Sequence, residues 1–223
     1  MHKENKALGI VLMLGLTTLL SACGKSTDKL EDKLTHDAKM SFINSLSYMA
    51  DFHVKKRNIS TGYSGLFDND NVVSGDVPTK EIGGTYIYSY DVINNMVNLG
   101  VKESTYADKE ERMTTTLSKG DDLWVIAWEA SNERALSVVA KKQHNDANVF
   151  NVRLFANGSY DVSVAGSKVL TTEKGKVTGY LTVSSCADGL KVAGQAIDLC
   201  SANFGASYLL VVDGNGALVM AEE

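Results

Sequence analysis

Nucleophiles, bases and metal ligands in this chain are few and poorly spaced for one another. Beyond residue 22 the histidines are His36, His53 and His144. None lies within three or four residues of another, and none sits in an H-E-x-x-H run. Solvated or locally hydrogen-bonded imidazoles account for all three. The nearest approach to a serine nucleophile is Gly62-Tyr63-Ser64-Gly65. A nucleophile elbow needs its second glycine one place later and a helix after it, so this stretch reads as a flexible turn. Asp68-Asn69-Asp70-Asn71 has the acidity of a calcium loop. An EF-type loop, however, needs a ligand, a glycine and a glutamate at its fifth, sixth and twelfth positions, and those hold Val72, Val73 and Thr79. What remains is a surface site for a hard cation built from Asp68, Asp70 and Asp76. Gly83-Gly84 precedes a tyrosine-rich strand rather than a helix, so it cradles no phosphate. No P-loop or dinucleotide fingerprint occurs, and no cofactor is expected.

The residue with the clearest chemistry is Cys23. Met1–Lys6 is short and charged, carrying Lys3 and Lys6 against Glu4, and Ala7–Leu20 has no charge. Fourteen residues are too few for a transmembrane helix, which needs roughly 20, and suit the apolar core of a secretory signal. Leu20-Ser21-Ala22-Cys23 resembles the lipobox of bacterial lipoproteins. The resemblance implies cleavage before Cys23, transfer of a diacylglyceryl group to its thiol, and acylation (palmitate-type) of the freed amine. Two or three acyl chains, at roughly 0.8 kcal/mol per buried CH₂, make a stable anchor. It also implies sorting. Gly24 stands where an aspartate retains such proteins on the inner membrane of enteric-type bacteria, so the outer membrane is the expected address.

Removal of residues 1–22 leaves 20 basic and 26 acidic residues, a net charge of −6. A mildly acidic chain without basic clusters argues against nucleic acid as a partner, and gives no second, electrostatic route to anionic lipid. Besides Cys23 two cysteines remain, Cys186 and Cys200. Free thiols, a metal pair and a disulfide are the alternatives. Their spacing fits no metal or redox motif, and export places them where disulfides persist, so a disulfide is expected. Closing a loop of this length contributes about 3 kcal/mol in the chain-entropy view.

These residues must be held by strands. Gly24–Asp37 is small, polar and charged and reads as a tether. From Lys39 onward the pattern has period 2: Tyr86, Tyr88, Tyr90 and Val92, then Met113, Thr115 and Leu117. Leu123–Ala130 and Ala135–Ala140 are apolar runs joined by a polar turn. Asn157-Gly158 and the run Asp213 to Gly216 carry the turn chemistry of hairpins. Asn94–Thr105 is the least strand-like stretch and reads as a loop or helical turn. Tyr86, Tyr88 and Tyr90 share one strand face, and Trp124, Ile126 and Trp128 another. Exposed, they would suit a glycan or protein; the expectation is that they meet inside a sandwich. About a dozen short strands imply an all-β fold, two Ig-like β-sandwich units in tandem. The boundaries expected are a signal over 1–22, a lipidated tether over 23–38, and units over 39–143 and 144–223.

An internal repeat supports that division. Met40–Val54 aligns with Val152–Val164, and Gly120–Lys141 with Gly205–Glu222, each as apolar strand, small polar turn and second strand. In Phe42-Ile43-Asn44 and Leu154-Phe155-Ala156-Asn157 the order of elements resembles an uncharacterised family of tandem β-domain envelope lipoproteins. That resemblance implies a fold and no activity.

The function expected from these readings is a lipid-anchored cell-envelope protein, not an enzyme. It would have a binding or structural role toward another envelope or extracellular macromolecule, a protein or a glycan, with the membrane engaged through Cys23. The alternatives are an envelope hydrolase acting on glycan or peptide, marked by two carboxylates within about 10 Å, and a carrier of a small ligand or metal, marked by a deep apolar pocket.

Overall fold

Apolar side chains at alternate positions, flanked by turn residues, make this chain a succession of short strands. The computed structural model describes residues 34–106, 108–131 and 133–223, so Cys23, its signal segment and most of the tether lie outside the described residues. The first eight strands are β1 (Thr35–Asn44), β2 (Ala50–Lys56), β3 (Val72–Val77), β4 (Glu81–Asp91), β5 (Met96–Glu103), β6 (Glu110–Thr116), β7 (Asp122–Ala130) and β8 (Glu133–Ala140). They form two sheets in the orders β4-β1-β7-β8 and β3-β2-β5-β6. Alternate residues of the facing strands fill one core: Met40, Phe42, Val125 and Ala127 from the first sheet, Phe52, Val54, Leu99 and Val101 from the second.

The remaining strands are β9 (Phe150–Ala156), β10 (Asp161–Val164), β11 (Ser167–Thr171), β12 (Lys176–Val177), β13 (Leu181–Val183), β14 (Leu190–Val192), β15 (Gln195–Ala196), β16 (Ser207–Asp213) and β17 (Gly216–Glu222). Their sheets run β12-β9-β16-β17, with β13 also pairing β9, and β11-β10-β14-β15. A second core lies between them, around Val152, Leu154, Leu190, Leu199 and Leu210. The fold is therefore all-β and built of sandwich units. Strand for strand, both units pair in the same order. In each, the first strand lies parallel to the strand that opens the final hairpin, β1 to β7 and β9 to β16.

A third core joins the units. Ile43, Trp124, Ile126, Trp128 and Val139 leave the outer face of the β1–β7 sheet and pack on Phe155, Leu209, Val211, Val219 and Ala221. The described residues thus form four stacked sheets with three apolar interlayers. The central strands β7, β9 and β16 of the two middle sheets are buried on both faces, which is why β7 and β16 read as continuous apolar runs rather than alternating ones. Across the joint β4 lies near β17, and the turn before β12 reaches β8 through Lys174 Nζ and Glu133 Oε2, 2.7 Å apart. Each edge strand faces the counterpart of the opposite edge, so the units meet as in a two-fold pair.

Several local expectations change. Residues 35–38, read as tether, begin β1, and His36 pairs in register with Tyr90. Met96–Glu103, read as loop, is a central strand. Asn98 and Gly100 hide its period: Asn98 donates to the Gly62 carbonyl, and Gly100 is covered by Leu66 and Phe67. Asn157-Gly158 is not a hairpin, since β9 and β10 belong to different sheets. Asn157 turns the chain between layers and reaches the other unit, donating to the Glu129 carbonyl at 2.9 Å. The hairpin expected at the end does form, closing with Asp213 opposite Gly216.

Candidate functional site

The residues singled out for chemistry are scattered. Asp68 flanks the short 3₁₀ turn Asn69–Asn71, and its carboxylate lies with the Lys55 ammonium around Gly65. Asp76 is turned toward Asp51, whose Oδ1 accepts its main-chain N–H at 2.7 Å. Asp68, Asp70 and Asp76 do not converge, and no group of three or more His, Cys, Asp or Glu suited to a metal occurs among the described residues. Ser64 sits in an exposed turn between Gly62 and Gly65, both at positive φ, and its carbonyl accepts from Lys55 Nζ. Cys186 and Cys200 form a disulfide with Cα atoms 4.7 Å apart. It ties the segment that carries β14 and β15 to the second core.

The histidines are placed differently from one another. His144 donates its main-chain N–H to Ser207 Oγ and its ring lies 5.3 Å from that of Tyr180. His53, expected to be solvated or locally hydrogen-bonded, lies instead inside β2 and is only 3 % exposed. Neither ring nitrogen has a hydrogen-bond partner among the described residues, and Phe67 packs edge-on at 5.2 Å. Burial pushes its pKa down, opposed by the Asp51 carboxylate.

The aromatic faces are covered, though not by each other. Tyr86, Tyr88 and Tyr90 line the first core, with neighbouring rings 6.4 Å apart. Trp124 and Trp128 lie on the opposite side of the sheet system, in the joint between units. At one margin of that joint Lys141 Nζ sits 3.8 Å from the Trp124 ring centroid and 2.8 Å from Ser41 Oγ. Burial lowers the Lys141 pKa, with Asp122 opposing. A serine beside a lysine of depressed pKa is the germ of a nucleophilic pair. Ser41, however, is 2 % exposed on a strand paired along both edges. Its neighbouring amides are spent in the ladders, which leaves no donors for an oxyanion.

An open cleft of about 860 Å³ lies at one end of the first unit. Its walls are the end of β2 (Lys55, Lys56), the following loop (Arg57, Asn58, Ile59, Thr61) and the β4–β5 connection (Ile93, Asn94, Asn95, Met96). The loops are held from beneath. Arg57 donates to Thr114 Oγ1 at 2.6 Å and its main-chain N–H to the Met96 carbonyl at 3.2 Å. Asn98 Nδ2 donates to the Gly62 carbonyl, and Asn95 exchanges two hydrogen bonds with the main chain of Leu117, each 2.8 Å. On this frame Ile59 is 87 % and Ile93 92 % exposed. Lys56 meets Asp91 at 2.8 Å, both well exposed; such a pair contributes little and exchanges readily.

Lys55, Lys56 and Arg57 with two bare isoleucines on a fixed frame, and no carboxylate among the described lining residues, can hold an anionic and partly apolar surface once Lys56 leaves Asp91 and Lys55 leaves the Ser64 carbonyl beside Asp68. This cleft was missed in the sequence. The available signal was the run Lys55-Lys56-Arg57, a contiguous basic triplet in an acidic chain, which corrects the reading that basic clusters are absent. The chain matches no protein-family model and no curated protein.

Proposed function

We propose that this protein is a lipid-anchored component of the bacterial cell envelope, acylated at Cys23 and held on the outer membrane, with a binding or structural role rather than a catalytic one. The observation that carries the binding role is the cleft: Lys55, Lys56 and Arg57 beside Ile59 and Ile93, on loops fixed by Arg57, Asn95 and Asn98. Preformed loops bind without the ordering cost of flexible ones. Their side chains recognise negative charge and apolar surface together and supply no acid–base pair. The anchor rests on the charged start, apolar core and Leu20-Ser21-Ala22-Cys23.

Crosslinking in living cells followed by purification and mass spectrometry tests both parts, with Cys23→Ala as control. The expected result is a lipid-modified Cys23, loss of the membrane-bound form in the control, and contacts that map to the cleft residues. A chain-dependent hydrolase activity abolished by one substitution would replace the binding role with an enzymatic one.

A further inference from the structure

We infer that the cleft end of the first unit seats on anionic phospholipid of the membrane that carries Cys23, so that the anchor and the cleft act as two contacts with one bilayer. The inference rests on the proposed acylation of Cys23. Ten residues, 24–33, separate that cysteine from Leu34, a reach of roughly 35 Å at full extension. The chain enters the fold beside the cleft: the Leu34 carbonyl accepts the Val92 N–H at 2.8 Å, and Thr35 lies in register with Asp91. The end nearest the anchor is thus the end that exposes Ile59 and Ile93, with Leu34, Val92 and Met96 also open to solvent.

Two further features fit a lipid surface. Among the described residues the cleft is lined by Lys55, Lys56 and Arg57 and by no carboxylate, with Asp91 on Lys56 and Asp68 near the Lys55 ammonium just outside it, while the chain beyond residue 22 has a net charge of −6. An anionic surface therefore repels most of this molecule and attracts the cleft, which selects one orientation. Lys56 can exchange Asp91 for a headgroup phosphate because both side chains are exposed. Tethering raises the local concentration of the cleft at the bilayer, so a contact too weak to hold a free protein is populated. The tether allows this contact, and the far end of the first unit, where Met49 and Tyr106 are exposed, points away.

The test uses the full lipidated chain in vesicles of phosphatidylcholine with and without phosphatidylglycerol. An environment-sensitive fluorophore is placed at Ile93→Cys or, for the far end, Tyr106→Cys. Acylation of Cys23 and the Cys186–Cys200 disulfide leave the new thiol free for labelling. With phosphatidylglycerol the label at 93 should shift to the blue and be quenched by nitroxides placed shallow in the bilayer. The label at 106 should remain aqueous. Lys55→Glu with Lys56→Glu should lower the phosphatidylglycerol-dependent signal at 93 by roughly tenfold. Equal aqueous exposure of both labels, an equal response without phosphatidylglycerol, or, in living cells, photo-crosslinking from position 93 to an envelope protein instead of lipid would each overturn the inference. Vesicle flotation separates the two claims. A chain that floats while position 93 stays aqueous refutes the seating alone. A chain whose Cys23 carries no lipid refutes the anchor and the seating with it.

Discussion

Trp128 and Phe155 meet edge to face with ring centroids 5.8 Å apart, although one belongs to the first sandwich and the other to the second. Around them the joint is a true core, with Ile43, Ile126, Leu209 and Val211 fully buried. The two units therefore share apolar surface that neither can cover alone. Trp128→Ala and Phe155→Ala should each cost about 3–5 kcal/mol. The double mutant should cost less than their sum by about 0.5–1.5 kcal/mol. Urea unfolding should show one transition for the wild type, because unfolding of either unit would wet the shared apolar face of the other. Gly175→Ala should act on the same contact: its φ is +72° and a Cβ there would lie 2.9 Å from Trp128 Cζ2.

A buried ion pair fastens the margin of the same joint. Arg153 and Glu223 are bonded through both carboxylate oxygens, their side chains 3 % and 0 % exposed. Arg153 Nη2 also donates to the Ala140 carbonyl of the first unit at 2.8 Å. Removing one partner leaves a charge buried without its counter-ion, so Glu223→Ala or Arg153→Ala should destabilise by about 3–5 kcal/mol. Arg153→Met combined with Glu223→Leu should recover most of that loss, as read from denaturant midpoints.

His53 gives a pH dependence with a definite sign. Its folded-state pKa lies below the ordinary value of 6.5, so the unfolded chain takes up a proton more readily than the folded one. The stabilisation is full above pH 6.5 and is lost as pH falls through the folded-state value, by up to about 1.4 kcal/mol per pH unit. The charged neighbours are Asp51 and Glu110, which favour protonation, and Lys102, which opposes it. Denaturation midpoints of His53→Leu should fall less between neutral and mildly acidic pH than those of the wild type. Equal slopes would show that the acid sensitivity lies elsewhere.

The disulfide should matter to the second unit in particular. Cys186 packs against its core, and the Leu199 N–H donates to the Cys186 carbonyl beside the bridge. Reduction, or Cys186→Ser, should lower stability by about 2–4 kcal/mol and alter gel mobility against reductant. Unchanged melting of the reduced protein would remove the bridge from the account of stability.

What could be read from single residues was local. The period-2 runs of β4 and β6, the Asp213-to-Gly216 hairpin and the pairing of Cys186 with Cys200 follow from side-chain alternation, turn chemistry and thiol count. The repeat was legible too: Met40–Val54 and Val152–Val164 hold β1–β2 and β9–β10, whose places in the pairing order are the same. β5 was not legible, because Asn98 and Gly100 serve the loop that covers them rather than a strand period. The cleft was half legible. Lys55-Lys56-Arg57 is visible as a triplet, but Ile93 lies 36 residues beyond Arg57, and nothing local says they share an end.

The sequence by itself determined the class of fold, the strand periods, the disulfide and, through Leu20-Ser21-Ala22-Cys23, the expectation of a lipid anchor. Each of these depends on neighbours along the chain. The tertiary structure decided which faces are wet. Trp124, Ile126 and Trp128 form an apolar face that a single sheet would offer to a ligand; here it is spent on the second unit. Lys55 and Ile93, unremarked along the chain, are brought to one open end beside Leu34. Burial is a property of what packs across a face, and alternation along a strand cannot say which partner arrives there.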